Sequence, residues 1–189
     1  MIISESGLVR AIKSAYKTGY TVENTGNDVI IYTVGWLVRC EWTNLPRKVL
    51  AAIVEHLGMI PEKDKAVSIK KNETPQLVIE SANEQLWGTA TGANIACTPI
   101  VYQGLRLYQD TKSHQVFGVD RDELGIIDST VSEQQLANIT ERNSVIWIYK
   151  DETIILHIGK SSGMAMPAHE QNLWNALERI DLRAAEGWI

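Results

Sequence analysis

Asp28-Val29-Ile30-Ile31-Tyr32-Thr33-Val34, running through Trp36-Leu37-Val38-Arg39-Cys40-Glu41-Trp42 into Leu45-Pro46-Arg47-Lys48-Val49-Leu50-Ala51-Ala52-Ile53-Val54, is the stretch that decides the fold class. The first two runs have the length and pattern of strands, and the third is apolar at helical spacing. A similar hydrophobic pattern returns later: His114-Gln115-Val116-Phe117-Gly118-Val119-Asp120 leads through Leu124-Gly125-Ile126-Ile127-Asp128 into Val131-Ser132-Glu133-Gln134-Gln135-Leu136-Ala137-Asn138-Ile139. Leu45, Leu50 and Ile53 match Val131, Leu136 and Ile139 at one offset of 86 residues. Hardly any residue is identical, so what repeats is pattern and not chemistry. An α+β scaffold of two similar helix and antiparallel-sheet units is expected, with a second helix over Val131 to Ile139.

Working outward, Ser4 or Ser6 can cap a first helix that buries Leu8, Ile12, Ala15 and Tyr16 and ends at Gly19. Asn24-Thr25-Gly26-Asn27-Asp28 marks a hairpin turn. Asn44 is a candidate cap for the second helix, with Pro46 in its first turn and Gly58 closing it. Ala66-Val67-Ser68-Ile69-Lys70 and Gln76-Leu77-Val78-Ile79-Glu80 form a second hairpin, and Val145 to Tyr149 with Thr153 to Ile158 form its counterpart. Residues 81–98, rich in small side chains and with room for a short helix near Asn83 to Trp87, read as the boundary. The expected division is 1–82, 83–166, and a C-terminal amphipathic helix in 167–189 opened by Pro167 and Ala168, with Leu173, Leu177, Ile180 and Ala184 in one stripe beside Trp174.

A chain of 189 residues with 44% hydrophobic and 22% charged residues has the composition of an ordinary globular protein. No window approaches the length of a membrane span, the start has no secretory pattern, and a cytoplasmic address is expected. Cys40 and Cys97 both sit in apolar segments and read as small buried hydrophobes. The net charge of -5 argues against an overall coating of nucleic acid, though an acidic protein can carry a local basic face.

The order helix, hairpin strands, helix, two further strands, and then much of the same again resembles the DNA sliding clamp family. Leu45 to Val54 followed by Ala66 to Lys70 and Gln76 to Glu80 looks like the strand, second helix and closing hairpin of a clamp domain. Thr98-Pro99-Ile100-Val101-Tyr102-Gln103-Gly104-Leu105-Arg106-Leu107 is similar to the stretch ahead of the second helix in the other half. The likeness covers residues 1–166 at the level of pattern. It implies a non-catalytic processivity factor for DNA replication, built as a homo-oligomeric ring, a homotrimer for two domains per chain. Such a ring binds duplex DNA non-specifically through phosphates. The chain departs from the family in the glycine-rich piece where a first helix of the second half would stand, and in Val131 to Ile139, which has Glu133 and no cation.

Arg10, Lys13 and Lys17 fall on one flank of the first helix, with Arg47 and Lys48 opening the second, and these are the candidate DNA-binding residues. The bland reading of the same residues is the solvated face of an amphipathic helix. The alternative function is a protein-interaction or assembly module with a clamp-like fold and no DNA binding. Its contact surface would be Leu173, Trp174 and Leu177 on the C-terminal helix together with Trp188 near the chain end.

No cofactor or metal is expected. Gly159-Lys160-Ser161 lacks the upstream glycine of a phosphate loop, Ile155 standing there. His56, His114, His157 and His169 have no metal-ligand spacing among themselves or with a cysteine. Asp120-Arg121-Asp122-Glu123 reads as a charged connection. Ser161 and Ser162 have no nucleophile elbow around them, so no catalytic set is assigned.

Overall fold

Ser4 has the extended backbone of an N-cap and its Oγ accepts from the Gly7 N–H at 3.3 Å, opening helix α1, Glu5–Ala15. Gly7, Leu8, Ile12 and Ala15 supply its buried side. Gly19, at φ 112, donates its N–H to the Ala15 carbonyl at 2.7 Å and turns the chain into β1, Tyr20–Asn24. The computed structural model describes residues 1–79, 93–128, 130–131, 134–139, 144–150, 153–161 and 166–182. It is an α+β chain with antiparallel sheets.

The chain forms two units, the first made of Met1–Gly88, Gly125–Gln134 and Tyr149–Leu156, the second of Thr89–Leu124, Gln135–Ile148 and His157–Ile189. These bounds are not the contiguous halves suggested by the repeat. Pieces of the later sequence complete the first unit, and the C-terminal helix belongs to the second.

In the first unit β1 lies between β2 (Asp28–Tyr32) and β4 (Lys65–Ile69), with β3 (Trp36–Glu41) beyond β2 and β5 (Gln76–Val78) beyond β4, every pairing antiparallel. The expected hairpin turn follows β1, where the Asn24 side chain accepts from the Gly26 N–H at 2.8 Å. Between β3 and β4 the chain must cross from one side of β1 to the other. Helix α2, Arg47–Leu57, makes that crossing, entered through Pro46 and closed by Gly58 in the left-handed conformation. Leu8, Ile12, Val49 and Ile53 are each buried, and Tyr20 of β1 reaches His56 of α2, so the helices cover the sheet face that bears Tyr20. Residues 2–4 pair with 126–128 through the Ile3 to Ile127 bridge and the Ser4 N–H to the Ile126 carbonyl, 2.8 Å.

The second unit is built on a meander of β6 (Ala93–Tyr102), β7 (Leu105–Asp110) and β8 (Val116–Asp120). Gln103 and Gly104, both at positive φ, make the first turn. A bulge between Cys97 and Val101 accommodates Pro99, and the buried Thr98 hydroxyl donates to the Leu107 carbonyl at 2.9 Å. The four-residue α3, Arg121–Leu124, follows β8. Residues 144–148 of β10 (Ser144–Lys150), residues 135–139 of β9 (Gln134–Ile139) and residues 157–161 of β11 (Thr153–Ser161) belong to this unit, in the strand order β10, β9, β6, β7, β8, β11. β10 also pairs with β11 as the hairpin reading required, and the turn end of that hairpin, Tyr149–Leu156, belongs to the first unit.

The helix expected over Val131 to Ile139 is not formed: Gln134–Ile139 is strand β9, with Ala137 opposite Ala93 and Leu136 opposite Asn94. Leu136 and Ile139 suit either period, and pairing with a distant strand outweighs the helix propensity of glutamine, leucine and alanine.

Helix α4, Ala168–Leu177, starts after Pro167 as expected. It lays Trp174 on the meander, against Leu107, Val116 and Leu182. Gly118 leaves room for that ring, since a Cβ there would stand 2.9 Å from Trp174 Cη2. No helix among the described residues is long and apolar enough to cross a membrane.

Candidate nucleic-acid interface

Helices α1 and α2 lie side by side with their N-terminal ends together and their C-terminal ends together. At the first end Lys48 Nζ is 2.9 Å from Glu5 Oε1. At the other the Tyr16 and His56 rings stack, centroids 3.9 Å apart and planes 7° from parallel. The pair therefore forms one continuous outer surface, whose opposite side is held by Leu8, Ile12, Val49 and Ile53.

Arg10 and Lys13 are exposed on α1, and Lys17 is exposed in the turn that follows its C-cap Tyr16. Arg47, at the first turn of α2, is exposed as well. None of these four makes an ion pair among the described residues. Lys48 differs, because its ammonium is engaged by Glu5. The same contact holds the Glu5 carboxyl below its usual range, chiefly through the hydrogen bond from Lys48. Residues 5–17 and α2 together hold the five cations Arg10, Lys13, Lys17, Arg47 and Lys48 against Glu5 and Glu55, in a chain whose net charge is -5.

The C-terminal ends of the helices carry a cluster that sequence spacing did not reveal. The Tyr20 hydroxyl lies 2.9 Å from His56 Nδ1, while Tyr16 covers one face of the imidazole. Burial pushes the Tyr20 phenol well above its ordinary range, so it remains protonated and able to donate. Burial also lowers His56, with Lys13 acting in the same direction and Glu55 opposing. The three residues come from α1, β1 and α2, and no local motif links them.

Of the described partner-binding candidates, Trp174 and Leu177 are turned into the core of their own unit. Trp174 is 1% exposed within the core of its own unit and Leu177 packs against the same cluster, because the sheet of β7 and β8 is the apolar surface nearest to α4. Leu173 is half-buried, Ile180 lies beyond the end of α4 and is exposed, and Trp188, with Trp87 and Ala184, falls outside the described residues. The cysteines also divide. Cys40 is buried, and burial followed by the charges of Asp28 and Glu41 pushes its thiol up to about 12, whereas Cys97 is exposed on β6, contrary to its apolar sequence setting.

His157, on β11, is fully buried, and among the described residues neither ring nitrogen has a hydrogen-bond partner. Glu123 Oε2 of α3 stands 3.8 Å from its Nδ1, beyond hydrogen-bond reach. Among the described residues no three His, Cys, Asp or Glu side chains converge as a metal ion would need. Comparison of the chain with protein-family models, with curated proteins and with solved structures finds no match.

Proposed function

We propose that the chain is a non-catalytic, clamp-like protein that holds duplex DNA through its phosphates, with α1 and the first turn of α2 as the contact face and several copies assembled around the duplex in the cytoplasm. The observation that carries this reading is the exposure of Arg10, Lys13 and Lys17 along α1 and the turn after it, with Arg47 exposed at the start of α2, on an otherwise acidic chain. Phosphate recognition needs cations on a firm surface and no base-reading geometry. A helix pair backed by a sheet supplies such a surface, and the order helix, three strands, helix, two strands in the first unit suits the resemblance to clamp domains. Lys48 is a weaker contributor than its sequence position suggested, since a phosphate would have to compete with Glu5.

The assembly part of the reading rests on β5. Among the described residues it is the last strand in the order of its sheet, and Leu77 within it and Ile79 just after it are 60% and 95% exposed. An edge of that kind is a site for pairing with another chain.

The test is fluorescence anisotropy with a labelled 20-base-pair duplex across a salt series. With three phosphates neutralised per chain, affinity falls about 40-fold between 50 and 200 mM salt. Arg10→Glu, Lys13→Glu and Lys17→Glu combined abolish binding and leave the thermal melt unchanged. Binding that survives the triple change, or that ignores salt, rejects the assignment of this face.

A further inference from the structure

We propose that His56 makes polyanion binding on the helix face proton-linked, so that the face takes up a proton at His56 when duplex phosphates settle on Lys13 and Lys17. The inference rests on the phosphate-binding reading above and adds to it a regulation of the same surface. His56 is half-buried at the C-terminal ends of both helices, under the Tyr16 ring at 3.9 Å and beside the Tyr20 hydroxyl at 2.9 Å. The charged and titratable groups that face it are Lys13 and Tyr16 from α1, Tyr20 from β1 and Glu55 from its own helix.

Each of these contacts bears on the proton. The Tyr20 hydroxyl donates to Nδ1 when the imidazole is neutral, and accepts from it when the ring is charged. Tyr16 offers its π face to an imidazolium. The end of a helix favours a positive charge there. What opposes the proton is burial and the neighbouring ammonium of Lys13, against the help of Glu55. A phosphate that neutralises Lys13 removes part of this opposition and adds attraction of its own. Linkage is reciprocal: if duplex raises the proton affinity of His56, protonation raises the affinity for duplex by the same factor.

The duplex titration is therefore repeated at fixed salt at about pH 7.5 and about pH 5.5, the interval in which histidine changes charge. The wild-type chain tightens by about threefold or more beyond any tightening shown by His56→Gln, a factor that corresponds to about half a pH unit of displaced titration. In parallel, the NMR titration of the His56 Hε1 proton in the wild-type chain moves to higher pH when the duplex is added, which needs no variant. Equal tightening in His56→Gln, or a His56 titration unmoved by bound duplex, overturns the proton linkage while the phosphate reading stands. Absence of salt-sensitive duplex binding at both pH values overturns both.

Discussion

Gly7 and Gly125 meet backbone to backbone: a Cβ on Gly7 would stand 1.6 Å from the carbonyl oxygen of Gly125. No rotamer relieves that contact, because both partners are main chain. Gly7→Ala would gain about 1 kcal/mol from helix propensity in an open helix. Here it forces the 126–128 segment away from residues 2–4, and the net expectation is a loss of about 3 kcal/mol. Urea denaturation of Gly7→Ala beside Ser6→Ala, whose site is exposed, measures it. A stabilised Gly7→Ala would show that the close approach is absent.

His56 gives stability a sign with pH. Its folded-state proton affinity is lowered, by burial first and then by Lys13, from the ordinary value of 6.5. A lowered histidine is neutral in the fold, so its contribution is complete above pH 6.5 and declines as pH falls below that value toward the folded pKa. Thermal melts of the wild-type chain without DNA lose more between about pH 6.5 and pH 5 than those of His56→Gln, in which no such proton binds. Identical slopes for the two proteins would remove His56 from the account. The same melts test Tyr20→Phe, which loses the hydroxyl contact to Nδ1 and about 1 kcal/mol with it.

His157 is a contrasting case, a buried imidazole whose nitrogens find no hydrogen bond among the described residues. Replacing an unsatisfied polar group by an apolar one of similar size removes a desolvation cost. His157→Leu is expected to stabilise the chain by about 1 kcal/mol, a rise of about 3 °C for a protein of this size. A His157→Leu chain that melts lower at pH 7 would mean that the imidazole does make a satisfying contact.

Local signals made the first unit legible. The capping serine, the Asn24 to Asp28 turn, the apolar period of α2 and its closing Gly58 each act within a few residues and mark elements that formed. Helix α2, however, is entered through Pro46, while Asn44, its expected cap, ends a 3-10 turn over Trp42–Asn44. Pro167 and the stripe around Trp174 likewise gave α4. Distant partners decided the rest. Leu136 and Ile139 carry an ambiguous spacing that became a strand through pairing with β6, and Gly7 reads in sequence only as a poor helix residue until Gly125 is brought against it. The same holds for the site: the cations along α1 and the turn after it form a local pattern and could be seen, whereas the stack of Tyr16 on His56 joins residues forty apart.

Gln109 decides whether the residues after α4 stay docked. It is fully buried, its amide nitrogen donates to the carbonyls of His114 at 2.9 Å and Ile180 at 2.8 Å, and its oxygen accepts from the Leu182 N–H at 2.8 Å. Gln109→Leu keeps the bulk and leaves these backbone groups unpaired, at a cost of about 3 kcal/mol. Limited proteolysis then cuts near residue 180 before the rest of the chain unfolds. An unchanged cleavage pattern would show that the packing of Trp174 and Leu182 holds the segment without the Gln109 hydrogen bonds.

The edge strand β5 yields the last expectation. Val67 opposes Leu77 and Ala66 opposes Val78, so one side of β5 is occupied by β4 while Leu77 and Ile79 stand exposed. If copies of the chain join here, the contact gains both main-chain hydrogen bonds and burial of those two side chains. Lysine at either position keeps the strand within its own sheet but charges the shared edge, a known means of blocking edge pairing. Light scattering is then expected to give an oligomer for the wild-type chain and a monomer for Leu77→Lys with Ile79→Lys, the two proteins having the same circular dichroism. Duplex affinity per chain should fall with assembly lost, since linked copies raise the effective concentration of phosphate contacts. A wild-type chain that is already monomeric, with unaltered duplex affinity in the lysine variant, would leave the helix face acting alone and exclude a ring.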